Sequence, residues 1–363
     1  MEKPKTFVNF FSIHLLSVIG ATILPSQAWA AELVTGMNVN IQVWSPAQRD
    51  ALLEQLAVAQ VKVIRCGFHA PGAFYLDFAK RLSDKGIKID LLAGCAYAGN
   101  IPPRPESKQY GMRSAYALSL ADPVISKKSF QSLFDQLDQQ GVVLEGVELG
   151  NEINWADFNG DFPVPGQGRI FGFNDLAKDP EAKTVAQGYL QYLKCLAALK
   201  EVRDHSRLNK GTPIVLGGLV YFNGWPAPNQ KLDGVNLDAT LQFLKAHGLD
   251  KLVDIYGFHC YPKEATAEAR KNDVDTVCAQ SSPPNASAGK PCWITEWGVN
   301  NKPDETETCK LIEEVMRDFN EWAKKDRLFE VIYFSWNYYA ANQPNPVFRD
   351  GQLQPIGKAA LKQ

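Results

Sequence analysis

The sequence predicts a single (β/α)8 TIM barrel on three observations. Strand-like and helix-like segments alternate throughout, eight of each can be drawn, and glutamates end two of the strands. Strands alternating with helices imply right-handed βαβ units and a parallel sheet. Eight such units in a chain of this length close into a barrel more readily than they remain an open sheet. In that architecture the reactive face is built from the carboxyl ends of the strands and the loops after them, so two glutamates far apart in sequence can face one another across one pocket.

Taken in order, Leu33 to Gln42 is the first strand and Ala47 to Gln60 its helix. Within that helix Asp50-Ala51-Leu52-Leu53-Glu54-Gln55-Leu56 repeats apolar residues at the spacing needed to pack on a sheet. Strand two, Lys62 to Phe68, precedes the helix Ala73 to Lys85. Strand three, Ile87 to Gly94, leads through the irregular stretch Cys95 to Ser126 into the helix Lys127 to Gln140. Strand four, Leu144 to Glu152, leads through Ile153 to Pro180 into the helix Glu181 to His205. Strand five, Pro213 to Tyr221, is followed by the stretch Gly224 to Gly234 and the helix Leu237 to His247. Strand six is Val253 to Tyr261 with the helix Ala265 to Cys278, and strand seven is Pro291 to Glu296 with the helix Glu305 to Lys324. Strand eight, Glu330 to Trp336, and the helix Lys358 to Leu361 complete the set. Each strand is short and rich in Val, Ile, Leu or Tyr.

The three irregular stretches all follow strands and so gather at the reactive face. They concentrate Pro102, Pro103, Tyr110, Trp155, Phe158, Phe162, Phe171, Phe173 and Trp225. Aromatic rings there either stack on the C–H face of a sugar or anchor the long loops.

The chain opens with Lys3 and Lys5, an apolar run from Phe7 to Leu24, and Ala28-Trp29-Ala30. This is the pattern of a secretory signal peptide over residues 1–30, leaving residues 31–363 as one catalytic domain in a secreted or periplasmic protein. A membrane anchor is the alternative, but Asn9, Ser12, His14 and Ser17 dilute the run, and no second apolar span follows, so no stable anchor is expected. A net charge of −2 without a basic cluster argues against nucleic acid as a partner; oligomeric state stays open. Of the seven cysteines, Cys278 and Cys292 flank one loop and are the candidates for a bridge. Cys66 and Cys95 end neighbouring strands, Cys195 reads as a small buried hydrophobe, and connectivity is not fixed by spacing.

Leu144-Glu145-Gly146-Val147-Glu148-Leu149-Gly150-Asn151-Glu152 and Pro291-Cys292-Trp293-Ile294-Thr295-Glu296 each deliver a carboxylate at a strand end. Cleavage of a glycosidic bond needs one carboxylic acid to protonate the leaving oxygen and one carboxylate to attack or to activate water. Glu152 and Glu296 supply that pair, and a separation of about 5–5.5 Å is expected for the retaining geometry. Arg65, at the end of strand two, is placed to hold Glu296 ionised. His259 and Tyr261 alternate on strand six and point the same way, Tyr261 toward Glu296 and His259 toward Glu152. Asn151 is expected to turn its amide toward a sugar 2-hydroxyl, Trp336 to floor the subsite for the cleaved sugar, and Glu148 to be a buried partner behind them.

As a set, Arg65, Asn151-Glu152, His259-Cys260-Tyr261, Glu296 and Trp336 on strands two, four, six, seven and eight resemble the retaining glycoside hydrolases of clan A. The likeness covers nearly all of residues 31–363 and implies the acid/base role for Glu152 and the nucleophile role for Glu296. The His-x-Tyr element looks like family 5, the cellulase and mannanase family. Its usual Asn-Glu-Pro is here Asn151-Glu152-Ile153, and Cys95-Ala96-Tyr97 stands where that family tends to carry a histidine. Gly150-Asn151-Glu152-Ile153 is instead similar to the endo-galactanase family of the same clan.

The residues for serine esterase, zinc protease, nucleotide and structural-zinc chemistry are missing, and neither metal nor organic cofactor is implied. His205 and His247 read as helix-end residues, while His69, just past strand two, and Asp157 and Asp161, in the fourth loop, are candidates to reach the cleft. Arg104, Lys108 and Arg113 leave room for an acidic sugar or for a solvated loop. A carbohydrate-binding barrel without turnover is the competing class, and the presence of the whole residue set argues against it. Export should release a chain that begins at Ala31; intact-mass measurement of the exported protein checks this, and a mass that retains residues 1–30 would favour the anchor.

Overall fold

A computed structural model describes residues 32–41, 45–67, 73–223, 231–287, 289–337 and 346–363. The leader at 1–30, His69, Trp225, and Gln42 and Phe68, expected to end strands one and two, lie outside the described residues.

Eight staves form the barrel wall: β1 (Val34–Asn38), β2 (Val63–Gly67), β3 (Lys88–Ala93), β4 (Gly146–Leu149), β5 (Ile214–Leu216, resumed at Leu219–Val220), β6 (Tyr256–Cys260), β7 (Cys292–Trp297) and β8 (Leu328–Tyr333). Every pairing between neighbours is parallel, and β1 pairs with β8. The first segment of β5 pairs with β4 and the second with β6, while Val215 bridges to Ile255, so the fifth stave carries the ring round. The break in that stave is Gly217-Gly218.

The helices begin where local chemistry satisfies their free N–H groups. Ser45 and Gln48 form a reciprocal capping box on α1 (Pro46–Val58), and α2 (Ala73–Asp84) follows β2. Asp122 caps α3 (Pro123–Gln140) and Asp179 caps α4 (Pro180–His205), each with proline at the first helical position. After α5 (Leu237–Ala246), Thr266 caps α6 (Ala267–Cys278) and Asp304 caps α7 (Glu305–Ala323); α8 (Pro355–Leu361) closes the chain. The cap at Asp122 explains why α3 starts four residues before the predicted Lys127. Among the described residues no helix is long and apolar enough to cross a membrane.

The stave residues alternate. One set, with Ile64, Leu91, Val147, Phe258, Ile294 and Val331, is buried against the helices and meets Leu53, Phe78, Phe134, Val315 and Phe319 in the main core. The other set points into the barrel. Low in it sit Val215, Ile255, Trp293 and Phe329 as a separate apolar cluster, together with Asp90 and Glu330, both buried and without a hydrogen-bond partner among the described residues. Burial pushes both acids well above the usual carboxylate range, with neighbouring acids adding to the shift. All seven cysteines are free. The expected Cys278–Cys292 bridge is therefore corrected to two buried free thiols, and Cys195 lies 3.5 Å from the Ser126 hydroxyl.

Two predicted strands end three residues early. The fourth stops at Leu149, because Gly150 turns into the left-handed region at φ 81°, and the eighth stops at Tyr333 rather than Trp336. The long stretches are not wholly irregular. The third loop contains short helical turns at Lys108–Tyr110 and Leu118–Leu120, and the fourth contributes Ile170–Phe171, paired with Gly234–Val235, and the turn Asp175–Lys178.

Close approach of β5 and β6 depends on Gly257, where a Cβ would be driven into the Leu216 carbonyl oxygen and Val215. Gly257→Ala should cost about 1–3 kcal/mol of stability through overpacking, seen as a lowered midpoint in urea unfolding; an unchanged midpoint would contradict this register.

Candidate active site

The carboxyl ends of all eight staves open into one cleft of about 1330 Å³, larger than the several hundred cubic ångströms of a typical small-ligand pocket. Its wall includes Asn38 from β1, Arg65 from β2, Ala93 from β3, Val220 from β5, Glu296 from β7 and Tyr333 from β8, with Asn151, Glu152 and Tyr261 just past β4 and β6.

Glu152 owes its position to the turn that ends β4. Two residues after Gly150, Glu152 itself has φ 45°, a strained value for a residue with a side chain. Two backbone bonds hold it there: its N–H donates to Gly218 O at 2.8 Å, and its carbonyl accepts from Trp155 N at 2.9 Å. Glu152 Oε1 lies 2.7 Å from His259 Nδ1. The imidazole fits because residue 218 is glycine, where a Cβ would collide with His259 Nε2.

Glu296 is gripped at both oxygens. Arg65 donates to Oε1 at 2.6 Å and the Tyr261 hydroxyl to Oε2 at 2.7 Å, with His259 Nδ1 a further 3.6 Å from Oε2. Arg65, 3 % exposed, spends its remaining donors on Glu148 Oε2 at 2.5 Å, Asn38 Oδ1 at 3.0 Å and Asn151 Oδ1 at 2.7 Å. Glu148 in turn accepts from Gly218 N at 2.5 Å and from the Thr295 hydroxyl at 3.2 Å. Asn38 Nδ2 donates to Thr295 O at 3.0 Å.

These contacts set opposite electrostatics for the two glutamates. Burial alone would raise Glu296, but His259, Arg65 and the Tyr261 hydroxyl outweigh it and hold the carboxyl below its usual range. Burial dominates at Glu152 and raises it, with the Glu296 and Asp157 charges adding to the shift against the pull of His259. His259 is itself raised: burial opposes its charged form, and the two glutamates more than compensate.

One oxygen of Glu152, one ring nitrogen of His259 and one oxygen of Glu296 lie within 4.8 Å of one another. That donor set could suit a cation, but it is already engaged. Both Glu296 oxygens accept protein donors, His259 Nδ1 bonds Glu152, and Arg65 supplies a fixed positive charge 2.6 Å from Glu296. The group fits a proton-handling network better than a metal centre.

Of the residues singled out in the sequence, Arg65, Asn151, Glu152, His259, Tyr261 and Glu296 converge in this network. Asn151 must turn its oxygen to Arg65, since a guanidinium only donates, so its NH2 is the end available to a ligand. Trp336 does not join them. It lies beyond the end of β8, stacks near Phe348 at 5.4 Å between ring centres, and leaves Tyr333 and Phe334 to line the cleft in its place. Asp157 lines the cleft and accepts from Arg113 N at 2.7 Å, while Asp161 is tied to Ser119 in the loop wall.

Arg104 is consumed in stapling loops, bonding the carbonyls of Ala156, Asn159 and Phe162, and Lys108 faces Glu106 at 4.0 Å. Arg113 lines the cleft and lies over the Phe158 ring. His205 and His247 bond carbonyls of their own helices. Among the aromatics, Trp155 and Phe158 line the cleft, whereas Phe162 and Phe171 are buried anchors. Sequence reasoning missed Asn38, Thr295 and Gly218, and also Tyr97 and Tyr116, whose stacked rings line the cleft 4.5 Å apart. The Gly-Gly pair inside a strand pattern was the one available signal of a close approach.

Removing Arg65 would leave Glu148 and Glu296 buried without their shared cation. Arg65→Ala should therefore destabilise the fold by about 3–5 kcal/mol, measured by chemical unfolding; a loss of only a few tenths would mean that the ion pairs are not maintained in solution.

Residues 222–360 match the family described as glycosyl hydrolase catalytic core. None of the curated proteins matches the chain in sequence. Solved structures share the fold at low identity. A fungal β-1,4-galactanase is 15% identical with a TM-score of 0.53, covering 91% of this chain and 94% of its own. A family 39 glycoside hydrolase from Bacteroides cellulosilyticus WH2 is 16% identical with a TM-score of 0.54, covering 92% of this chain and 64% of its own. ZgEngAGH5_4 in complex with a cellotriose is 12% identical with a TM-score of 0.55, covering 91% and 96%. Over residues 222–360 the chain is thus similar in sequence to glycosyl hydrolase catalytic cores, and over nine-tenths of its length it shares the barrel fold of solved glycoside hydrolases.

Proposed function

We propose that the chain is a retaining β-glycoside hydrolase, secreted or periplasmic, whose catalytic domain spans residues 31–363 and which cleaves a poly- or oligosaccharide by double displacement. The observation that carries this reading is the pair of cleft glutamates with oxygens within 4.8 Å of each other and opposite electrostatic settings. Retaining enzymes hold their carboxyl groups about 5–5.5 Å apart and inverting ones about 6.5–9.5 Å, and nearest oxygens within 4.8 Å, a different distance from the carboxyl separation, are compatible with the closer arrangement. The glycosyl hydrolase match over residues 222–360 supports the reaction class. Neighbours described as β-1,4-galactanases and as a complex with cellotriose favour a β-linked glycan, and the open cleft has room for several sugar units.

In the first step Glu296, held ionised by Arg65 and Tyr261, attacks the anomeric carbon while Glu152 gives its proton to the departing oxygen. Bonding of the sugar to Glu296 cancels that negative charge, which lowers the Glu152 pKa and leaves it a carboxylate. Glu152 then takes a proton from water as water displaces Glu296 and releases the sugar with retained configuration. Because Glu296 must be ionised and Glu152 protonated, the pH–rate profile is a bell. Its acid limb belongs to the lowered group and its alkaline limb to the raised one.

A panel of β-glucans, mannan, xylan, galactan and bacterial exopolysaccharides, read by reducing ends and product anomer, identifies the substrate. Glu296→Ala should abolish turnover, with azide restoring part of it as the α-azide. Glu152→Ala should spare the first step on activated aryl glycosides and stall the second. Full activity in both variants overturns the assignment, and glycan binding without turnover by the intact protein identifies a binding barrel instead.

A further inference from the structure

Glu148, on the same stave as the turn to Glu152, has no part in the two displacement steps, yet it is fully buried and accepts three donors. One of them is Arg65, whose single positive charge is thereby divided between Glu148 at 2.5 Å and Glu296 at 2.6 Å. We propose that Glu148 is a positioning residue: by holding the Nε edge of Arg65 it aims the other edges at Glu296 and Asn151, and by competing for the same cation it keeps Glu296 basic enough to attack carbon. The proposal rests on the reading of Glu296 as nucleophile.

The geometry makes the competition direct. A guanidinium is a rigid planar fork, so fixing Nε on Glu148 fixes where its two terminal nitrogens point. The Gly218 N–H and Thr295 hydroxyl bonds pin Glu148 from β5 and β7, so it cannot follow Arg65 if the fork swings. Other titratable groups facing this centre are Cys66 on β2, Asp90 on β3, Tyr192 on α4, His259 on β6, Tyr261 just past it and Glu330 on β8. Burial raises Cys66, Asp90, Tyr192, Tyr261 and Glu330 well above their ordinary ranges, and His259 faces the two cleft glutamates. Glu148 and Glu296 are thus the two carboxylates that bond Arg65 among the described residues.

The test is Glu148→Gln in the full chain, which keeps shape and removes charge. With carbon-13 labelled glutamate, the Glu296 carboxyl should titrate about half a pH unit or more below its value in the unaltered chain, because the whole Arg65 charge then falls on it. The acid limb of kcat/KM should move down with it, and kcat should fall about tenfold at little change in KM. A merely structural role would lower the unfolding midpoint without moving the titration. An unchanged or raised Glu296 midpoint overturns the proposal. Should this variant fail to fold, Thr295→Val removes only one donor to Glu148 and should raise the Glu296 midpoint, while no change or a fall overturns the proposal. The titration needs no substrate, so it is decided separately from whether the chain cleaves sugars.

Discussion

A guanidinium placed almost out of reach of water at the top of a barrel is costly unless each of its edges meets an acceptor. Arg65 meets four, contributed by β1, β4, the loop after β4, and β7, and these pieces of chain are brought together by the same contacts. If Arg65 is taken away, Glu148 and Glu296 become buried like charges, Asn38 and Asn151 lose their orientation, and the cleft floor has no reason to keep its shape. The reactive geometry is thus tied to one cation whose partners come from widely separated parts of the sequence.

Much of the barrel was legible because parallel staves and their helices obey short-range rules. Alternation along His259–Cys260–Tyr261 was enough to say that the His259 and Tyr261 side chains point the same way, and position at the end of strand two was enough to place Arg65. The contacts of Arg65 and Tyr261 with Glu296, and of His259 with Glu152, follow from strand-end position and the two-residue repeat. Long-range closeness escaped that kind of reasoning. Asn38 matters because it stands beside Arg65 in the register of β1 and β2, and Gly218 because two side chains and a backbone converge on it. Trp336 was expected at a strand end, but β8 ends three residues earlier, at Tyr333, and Tyr333 and Phe334 line the cleft there.

One strained backbone residue, Glu152, stands where the chemistry would need it. The turn through Gly150 to Glu152 is unfavourable by itself, and its hydrogen bond to Gly218 is available because the fifth stave stops pairing there. The same interruption frees the Gly218 N–H for Glu148 and clears space for the His259 ring. An interruption that weakens one strand therefore arranges three side chains from two others, which is the usual trade of local stability for a preorganised site.

The two unpartnered acids deep in the barrel, Asp90 and Glu330, have a consequence for the conditions the fold tolerates. Burial raises each well above the carboxylate range it returns to on unfolding, so across the intervening pH range the native state holds extra protons. By linkage, their contribution favours folding in acid and is withdrawn as pH rises from the ordinary carboxylate range toward their elevated values. Glu296 works in the opposite sense, its contribution being lost as pH falls through its lowered value. The interior is in this respect biased toward acidic surroundings, a resistance to acid unfolding carried by the foot of the barrel while the mouth keeps its charges.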